Sequence, residues 1–128
     1  MTDFLRRLPA ALPQLLREEF FVPAVDAGIN IYVRNKRPAD MRTFSPERTL
    51  LYVHGSTYPA STAFDLSLDG WSWMDFIAAR GFDVWLLDLR GYGYSTRPRE
   101  MNEPPENNAP IVRTETAMAD IAAVVDHI

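Results

Sequence analysis

The chain of 128 residues contains no cysteine and only two histidines, His54 and His127. Without cysteine it has no disulfide, no thiolate nucleophile and no cysteine-based metal site, and an oxidising or a reducing compartment would suit it equally. A histidine-based metal site needs two or three converging ligands, and no His-x-x-x-His spacing or acidic cluster supplies them. We therefore predict no bound metal, and nothing in the sequence indicates a cofactor.

Long runs of one charge and long apolar runs are also missing. Thirteen basic and seventeen acidic residues give a net charge of −4, so we do not expect the chain to bind nucleic acid or an anionic membrane. No apolar run is long enough to span a bilayer. The first residues, with Arg6 and Arg7 before Pro9, lack the apolar core of a signal peptide. The sequence predicts a cytoplasmic protein whose partner is a small molecule.

The composition that is present, 47% hydrophobic and 23% charged residues, is typical of a folded domain. Apolar residues at helical spacing predict a helical segment over residues 1–19, which Pro9 and Pro13 split into two pieces. We interpret it as a lid or packing helix, because the basic bias of its polar face is too weak to favour a membrane surface or a partner helix. The apolar residues with this spacing are Phe4, Leu5, Leu8, Leu12, Leu15 and Leu16.

Residues 20–128 predict an α/β domain that begins with a β-hairpin. Residues 20–25 and 29–34 flank Asp26-Ala27-Gly28, and apolar and polar residues alternate along the second of these segments. This pattern is typical of two antiparallel strands with one buried face.

A strand, a helix and a second strand follow. Residues 50–53 and 84–87 are continuous apolar runs, typical of parallel strands that are covered on both faces. The helix between them begins at Asp69 or Ser72, and Gly81 stands where a left-handed residue ends a helix. The sequence therefore predicts a βαβ unit.

A last helix begins near Thr114 and continues to Ile128 without a stop signal. Two strands buried on both faces need helices on both sides and a neighbour on each edge, and the chain supplies only two helices of this kind. We predict an incomplete fold unit rather than a complete small domain. One face of the last helix carries Met118, Ile121, Ala122 and Val125.

Two segments that directly follow the apolar strands suggest a family. Residues 51–59 read LYVHGSTYP and residues 88–98 read DLRGYGYSTRP, about 35 residues apart. They resemble the α/β-hydrolase pattern of a strand ending in His-Gly-x followed by Asp-x-Arg-Gly-x-Gly-x-Ser, and the resemblance extends from residue 20 to residue 128. It implies the first half of that fold, a mostly parallel sheet in which the hairpin supplies the first two strands. The His-Gly strand is then the third, and the last helix leads into the strand that carries the nucleophile.

The resemblance implies that the first segment binds an oxyanion through a backbone N–H group. Gly55 allows a sharp turn after His54, so the N–H of Ser56, or less favourably of Thr57, is the candidate donor. The alternative is that both residues merely close a strand-to-helix turn.

The second segment is predicted to have a structural role. Its glycines lack the third glycine of a dinucleotide-binding loop, and no helix begins there. It is not a nucleophile elbow either, because residue 97 is arginine where a glycine is needed. We expect Ser95 to bond the backbone of a turn, and Asp88 and Arg90 to hold the loop by local hydrogen bonds. The residues assigned to this structural role are Asp88, Arg90, Gly91, Gly93 and Ser95.

Neither histidine fits a catalytic triad, since in this family the histidine follows the nucleophile and the acid along the chain. His54 is predicted to be a strand-end histidine bonded to nearby backbone, and His127 an exposed residue in the last helical turn. The resemblance therefore places nucleophile, acid and triad histidine after Ile128, in a missing C-terminal half that would be this chain's partner. The full protein is expected to hydrolyse an ester or similar acyl bond through a serine.

Two alternatives remain open. The family also includes epoxide hydrolases and dehalogenases with an aspartate nucleophile, but the proline that they usually have two residues after His-Gly is Thr57 here. The other alternative is a truncated or split product without catalytic activity. In every case we expect this chain alone to be inactive, because it lacks the nucleophile.

Overall fold

The computed structural model describes residues 13–128, which form one mixed sheet of four strands in the order β1-β2-β4-β3. Strands β1 and β2 make an antiparallel hairpin, β2 and β4 are antiparallel, and β3 is parallel to β4. The predicted α/β class with an N-terminal hairpin is confirmed. The strands are β1 (Leu15–Pro23), β2 (Asn30–Pro38), β3 (Thr49–Val53) and β4 (Asp83–Asp88).

Three α-helices accompany this sheet in the described residues: α1 (Ala60–Ala63), α2 (Trp73–Ala78) and α3 (Thr114–His127). Ser72 begins α2, because its hydroxyl accepts the N–H of Asp75 and the Asp75 carboxylate accepts the N–H of Ser72, each at 3.0 Å. Gly81 has the left-handed conformation that was expected, with φ of 86°. Helix α1 was not predicted, since four residues are too few to show a helical period. Short 3-10 turns cover Pro46–Arg48, Arg99–Asn102 and Pro105–Asn107.

The helix predicted over residues 1–19 is wrong where the structure describes it. Residues 15–19 begin β1, and Leu15 to Glu19 pair with Pro38 to Arg34 of β2. A ladder with β2 satisfies these backbone groups, whereas the few residues left after Pro13 are too short to hold a helix. Residues 1–12 of the predicted segment lie outside the described residues.

The sheet is covered on both faces. On one face α1 and α2 pack over a core that contains Phe64, Met74 and Leu86, and on the other face α3 packs over a core that contains Ile31, Leu87 and Val124. The prediction that the hairpin buries one face is wrong for β2, because Tyr32 and Arg34 on its second face are also buried. This face is buried because α1, α2 and the segment between them pack on it, where Tyr32 contacts the core around Phe64 and Arg34 pairs with Asp65.

Two apolar surfaces of the described residues remain open. Strand β3 pairs with β4 on one side only, and Val53 is 38% exposed. On α3 the face with Met118 and Val125 points away from the sheet, and these side chains are 63% and 54% exposed. Among residues 13–128 no helix has the length and apolar character that crossing a membrane requires.

Candidate oxyanion site

The His-Gly loop follows β3 directly and leads into α1. Because β3 and β4 are parallel, their carboxyl ends meet at one edge of the sheet, the place where ligands of open α/β sheets bind. A cleft of about 290 Å³ opens there, between the loop, the segment after β4 and the first turn of α3. Its lining residues are His54, Gly55, Ser56, Leu89, Tyr92, Val112, Arg113, Thr114 and Ala117.

His54 is buried, and both of its ring nitrogens bond to backbone. Nε2 accepts the N–H of Leu89 at 3.0 Å, so this nitrogen carries no proton. Nδ1 therefore carries the proton and donates it to the carbonyl of Gly55 at 2.6 Å. A neutral histidine with both nitrogens occupied is not a general base. This is the geometry expected of a strand-end histidine.

The backbone N–H groups of Ser56 and Thr57 point to no acceptor within residues 13–128. All described peptide bonds are trans, so the carbonyl of Gly55 and the N–H of Ser56 lie in one peptide plane and point in opposite directions. Since His54 holds that carbonyl, the N–H of Ser56 is fixed pointing away from the imidazole. Two unpaired N–H groups in an exposed loop at the carboxyl end of β3 are suited to stabilise an anion.

Gly55 was expected to allow a sharp turn after His54, but its φ is not positive. It is absent from the left-handed residues of the described chain, and a Cβ added to it would meet no atom within 4 Å. The turn after β3 is therefore set by the bond from His54 to the Gly55 carbonyl and not by the special freedom of glycine.

Asp88, at the end of β4, joins the two motif segments. Its buried carboxylate accepts the N–H of Ser61 at 2.9 Å, the hydroxyl of Ser61 at 2.7 Å and the N–H of Tyr94 at 3.2 Å. Gly93 allows this approach, because a Cβ there would lie 2.1 Å from a carboxylate oxygen of Asp88 and 2.9 Å from Cβ of Pro59. Its φ of 48° adds a second reason for glycine. The start of α1 and the loop after β4 are thus held by one side chain.

Ser95 is buried, and its hydroxyl is used on the backbone. It accepts the N–H of Tyr32 at 2.8 Å and donates to the carbonyl of Asp88. This matches the turn role expected from the sequence. Gly91, at the start of the same turn, has a φ of 83°, and a Cβ there would lie 2.5 Å from the sulfur of Met101.

Arg90 makes long-range contacts, so the prediction of local hydrogen bonds is wrong for this residue. Its Nε and one terminal nitrogen donate to the two carboxylate oxygens of Asp120 on α3, at 2.9 and 2.6 Å, and the other terminal nitrogen donates to Asp26 at 2.7 Å. The hydrogen bonds from Asp120 raise the pKa of Arg90 above its ordinary value, although burial opposes the shift. One guanidinium connects the end of β4, α3 and the hairpin turn. Asp120 was not predicted as a functional residue, because it is a lone acid on the buried side of an apolar helix.

A second buried cluster of charges was also missed. On the face covered by α1 and α2, Asp65 accepts from Lys36 at 2.7 Å, from Arg34 at 2.6 Å and from the hydroxyl of Ser72 at 2.5 Å, and Lys36 also reaches Asp75 at 2.6 Å. Burial by itself raises the pKa of Asp65, but the hydrogen bonds from Lys36, Ser72 and Arg34 outweigh it and lower that pKa. The only sign of this cluster in the sequence was the pair Arg34 and Lys36, two cations at alternate positions of β2.

The described residues contain neither a triad nor a metal centre. Both nitrogens of His54 bond to backbone, and the ring of His127 packs against Phe20 at the other end of α3. No histidine in residues 13–128 therefore contacts a serine hydroxyl. In the same part of the chain, no group of three or more histidine, aspartate or glutamate side chains is placed to hold a metal ion.

The sheet order, the His-Gly loop after β3 and the glycine-rich segment after β4 define an α/β protein with a site at the carboxyl ends of its strands. The sequence profile of the alpha/beta hydrolase fold family matches residues 48–128, and the chain belongs to that family. Among solved structures, the hypothetical protein PA2218 of Pseudomonas aeruginosa has the same fold, with a TM-score of 0.59 and 13% sequence identity. The match covers 94% of this chain and 32% of that one. No curated protein sequence matches significantly.

Proposed function

We propose that this chain is the amino-terminal part of a hydrolase that cleaves an ester or similar acyl bond, and that it supplies one oxyanion donor, the N–H of Ser56. The observation that carries the proposal is the N–H of Ser56 at the carboxyl end of β3, which has no acceptor within residues 13–128 and belongs to a peptide group whose carbonyl is held by His54. The serine nucleophile, the acid and the triad histidine belong to the part of the fold that follows this chain.

The proposed chemistry is stabilisation of negative charge. Attack by a serine on an acyl carbon turns the carbonyl oxygen into an oxyanion, which in this family is bound by two backbone N–H groups. One comes from the loop after β3 and the other from the residue after the nucleophile. A single such donor is worth about 3 to 4 kcal/mol of transition-state stabilisation. A donor fixed in advance contributes more, because it needs no reorganisation during the reaction.

The two open apolar surfaces, the edge of β3 and the outer face of α3, support the proposal that a further part of the fold packs on this chain. Strand β3 has one unpaired edge within the described residues, and the exposed face of α3 is apolar. This chain spans 32% of the length of PA2218, which has the same fold. We propose that a strand pairs with β3 and that helices cover Met118 and Val125. The small-molecule substrate and the cytoplasmic location stay predictions from the sequence.

Two other functions have weaker support. An aspartate nucleophile, as in epoxide hydrolases and dehalogenases, is disfavoured because Thr57 stands where those enzymes usually have proline. A split or truncated product without activity would retain the same loop. Reading the coding DNA past codon 128 separates these cases, because an open frame with a Gly-x-Ser-x-Gly signal supports the serine hydrolase and a stop codon without a separate complement opposes it.

Proline substitutions test the donor in the enzyme that contains this chain. Ser56→Pro removes the proposed N–H and is expected to lower kcat about a hundredfold or more. Thr57→Pro removes the neighbouring N–H, and Ser56→Ala keeps the donor, so both should retain most of kcat. Circular dichroism must show that all three variants are folded. Equal losses in Ser56→Pro and Thr57→Pro, or a lost kcat in Ser56→Ala, would contradict the assignment.

A further inference from the structure

Tyr92 contacts the oxyanion loop from the segment after β4. Its ring packs against the imidazole of His54, with 4.6 Å between ring centroids and an interplanar angle of 57°. Its hydroxyl donates to the carbonyl of Ser56 at 2.6 Å. Tyr92 lies between Gly91 and Gly93, both at positive φ, and this turn directs the phenol toward the loop.

The bond from Tyr92 fixes a second peptide group of the loop. His54 holds the carbonyl of Gly55 and Tyr92 holds the carbonyl of Ser56, so the peptide planes before and after Ser56 are both set by side chains. In a trans peptide the N–H points opposite to the carbonyl. The N–H of Thr57 therefore points away from Tyr92, while the carbonyl of Ser56 is turned toward the tyrosine side of the cleft.

We propose that Tyr92 is a positioning residue for the oxyanion loop, an inference that rests on the proposed function. By holding the carbonyl of Ser56, the phenol prevents that peptide group from rotating and bringing a partial negative charge toward the developing oxyanion. His54 fixes the N–H of Ser56 and Tyr92 fixes the peptide group that follows it, so both peptide groups beside Ser56 have one orientation before substrate binds. Tyr92 touches the loop and not the reacting atoms.

The segment after β4 holds the loop after β3 through two contacts. Its backbone at Leu89 sets the tautomer of His54 through a bond to Nε2, and His54 in turn holds Gly55. Its side chain at Tyr92 holds Ser56. Tyr94 provides a matched control, because it lies in the same segment and is 64% exposed, and its hydroxyl has no hydrogen-bond partner in the described part of the chain.

The first test measures bond directions in the full chain, without any activity. Residual dipolar couplings of ¹⁵N-labelled backbone, recorded at concentrations too low for self-association, report the direction of the Thr57 N–H. Tyr92→Phe should change this coupling, while Tyr94→Phe should match the parent. The amides of Ser61 and Leu89, held by Asp88 and His54, serve as the check that the fold is intact. An unchanged Thr57 coupling in both Tyr92→Phe and Tyr92→Leu overturns the proposal.

The second test measures kinetics in the hydrolase that contains this chain. Tyr92→Phe is expected to lower kcat about tenfold with little change in KM, because the loss falls on a charge that exists only in the transition state. Tyr94→Phe should be unchanged. If the Thr57 amide of Tyr92→Phe reorients and kcat stays the same, Tyr92 still orients the loop, but the proposed oxyanion function of the loop is contradicted. If kcat falls while the amides keep their directions, Tyr92 acts in another way and the positioning role is overturned.

Discussion

Asp65 shows how one buried carboxylate organises the residues around it. Its side chain is 2% exposed and accepts from Arg34, Lys36 and Ser72, while Asp75 shares Lys36 with it. Two acidic and two basic side chains give this cluster no net charge. Its ion pairs connect the segment after α1 to β2. A buried pair of this kind is only weak support for net stability, but the loss of one partner leaves an uncompensated charge.

The lowered pKa of Asp65 predicts a pH dependence of folding. A carboxyl whose pKa is lower in the folded chain adds stability above the pKa of the unfolded chain, about 3.9 for aspartate, and loses it as the pH falls through the folded value. Below about pH 4 the free energy of unfolding should therefore drop. In Asp65→Asn the unfolding free energy should be lower at pH 7, and its gap from the parent should shrink as the pH falls.

Urea unfolding at pH values from 3 to 7 measures this gap. Asp69→Asn is the control, because Asp69 is exposed and lies in a turn. A gap between parent and Asp65→Asn that is constant over the whole range would show that the ionised form of Asp65 contributes nothing.

At the scale of elements, the Arg90–Asp120 pair connects α3 to the sheet. Asp120 is fully buried, and both of its oxygens accept from Arg90. The same guanidinium reaches the hairpin turn through Asp26. This contact holds the middle of α3 against the sheet, and the first turn of the same helix lines the cleft.

A double-mutant cycle tests this pair. Arg90→Met leaves the carboxylate of Asp120 buried without a partner and should cost about 3 to 5 kcal/mol of unfolding free energy. Adding Asp120→Leu removes the orphaned charge, and the double variant should be more stable than Arg90→Met alone. Arg99→Met, at a side chain that is 82% exposed, is the control and should change stability by less than about 1 kcal/mol. Additive effects of the two core substitutions in urea unfolding would contradict the coupling.

The elements differ in how far the sequence predicts them. The apolar runs at residues 50–53 and 84–87 predicted β3 and β4, because a short continuous apolar run is itself a strand signal. Burial on both faces holds for β4 but not for β3, whose residues are half-buried or exposed. Ser72 and Gly81 bounded α2 because capping is a local effect. Residues 15–19 were misassigned, since the paired leucines fit a helix as well as a strand and only the ladder with β2 decides between them.

The site was predictable only where one side chain acts on its own neighbours. The local bonds from His54 to the carbonyl of Gly55 and from Ser95 to the carbonyl of Asp88 were expected from the sequence. Their bonds with the N–H groups of Leu89 and Tyr32, 35 and 63 positions away, were not. The bonds from Tyr92 to Ser56 and from Arg90 to Asp120 join residues 36 and 30 positions apart. Such contacts depend on the way in which β3, β4 and α3 come together, and no spacing in the sequence encodes them.

At the scale of the whole molecule, the two open apolar surfaces predict self-association. An unpaired strand edge invites pairing with another chain, and the exposed face of α3 adds apolar area. Sedimentation should show association that increases with concentration. Met118→Lys combined with Val125→Lys should weaken it, whereas Val25→Lys, at a 79% exposed valine in the hairpin turn, should not. A monomer at every concentration, or equal weakening by Val25→Lys, would contradict this.

The chain alone is also expected to lack esterase turnover. Serine catalysis in this family needs a nucleophile, a base oriented by an acid and two oxyanion donors, and we propose only one of these groups, an oxyanion donor, in the loop after β3. The candidate hydroxyl of Ser95 is buried and bonded to Tyr32 and Asp88 backbone, and both nitrogens of His54 are occupied. With p-nitrophenyl acetate the parent and Ser95→Ala should both show only the slow background of a protein with exposed histidine. A stoichiometric burst followed by steady turnover in the parent, abolished by Ser95→Ala, would mean that Ser95 leaves its turn to attack substrate and that the structural role given to it here is wrong.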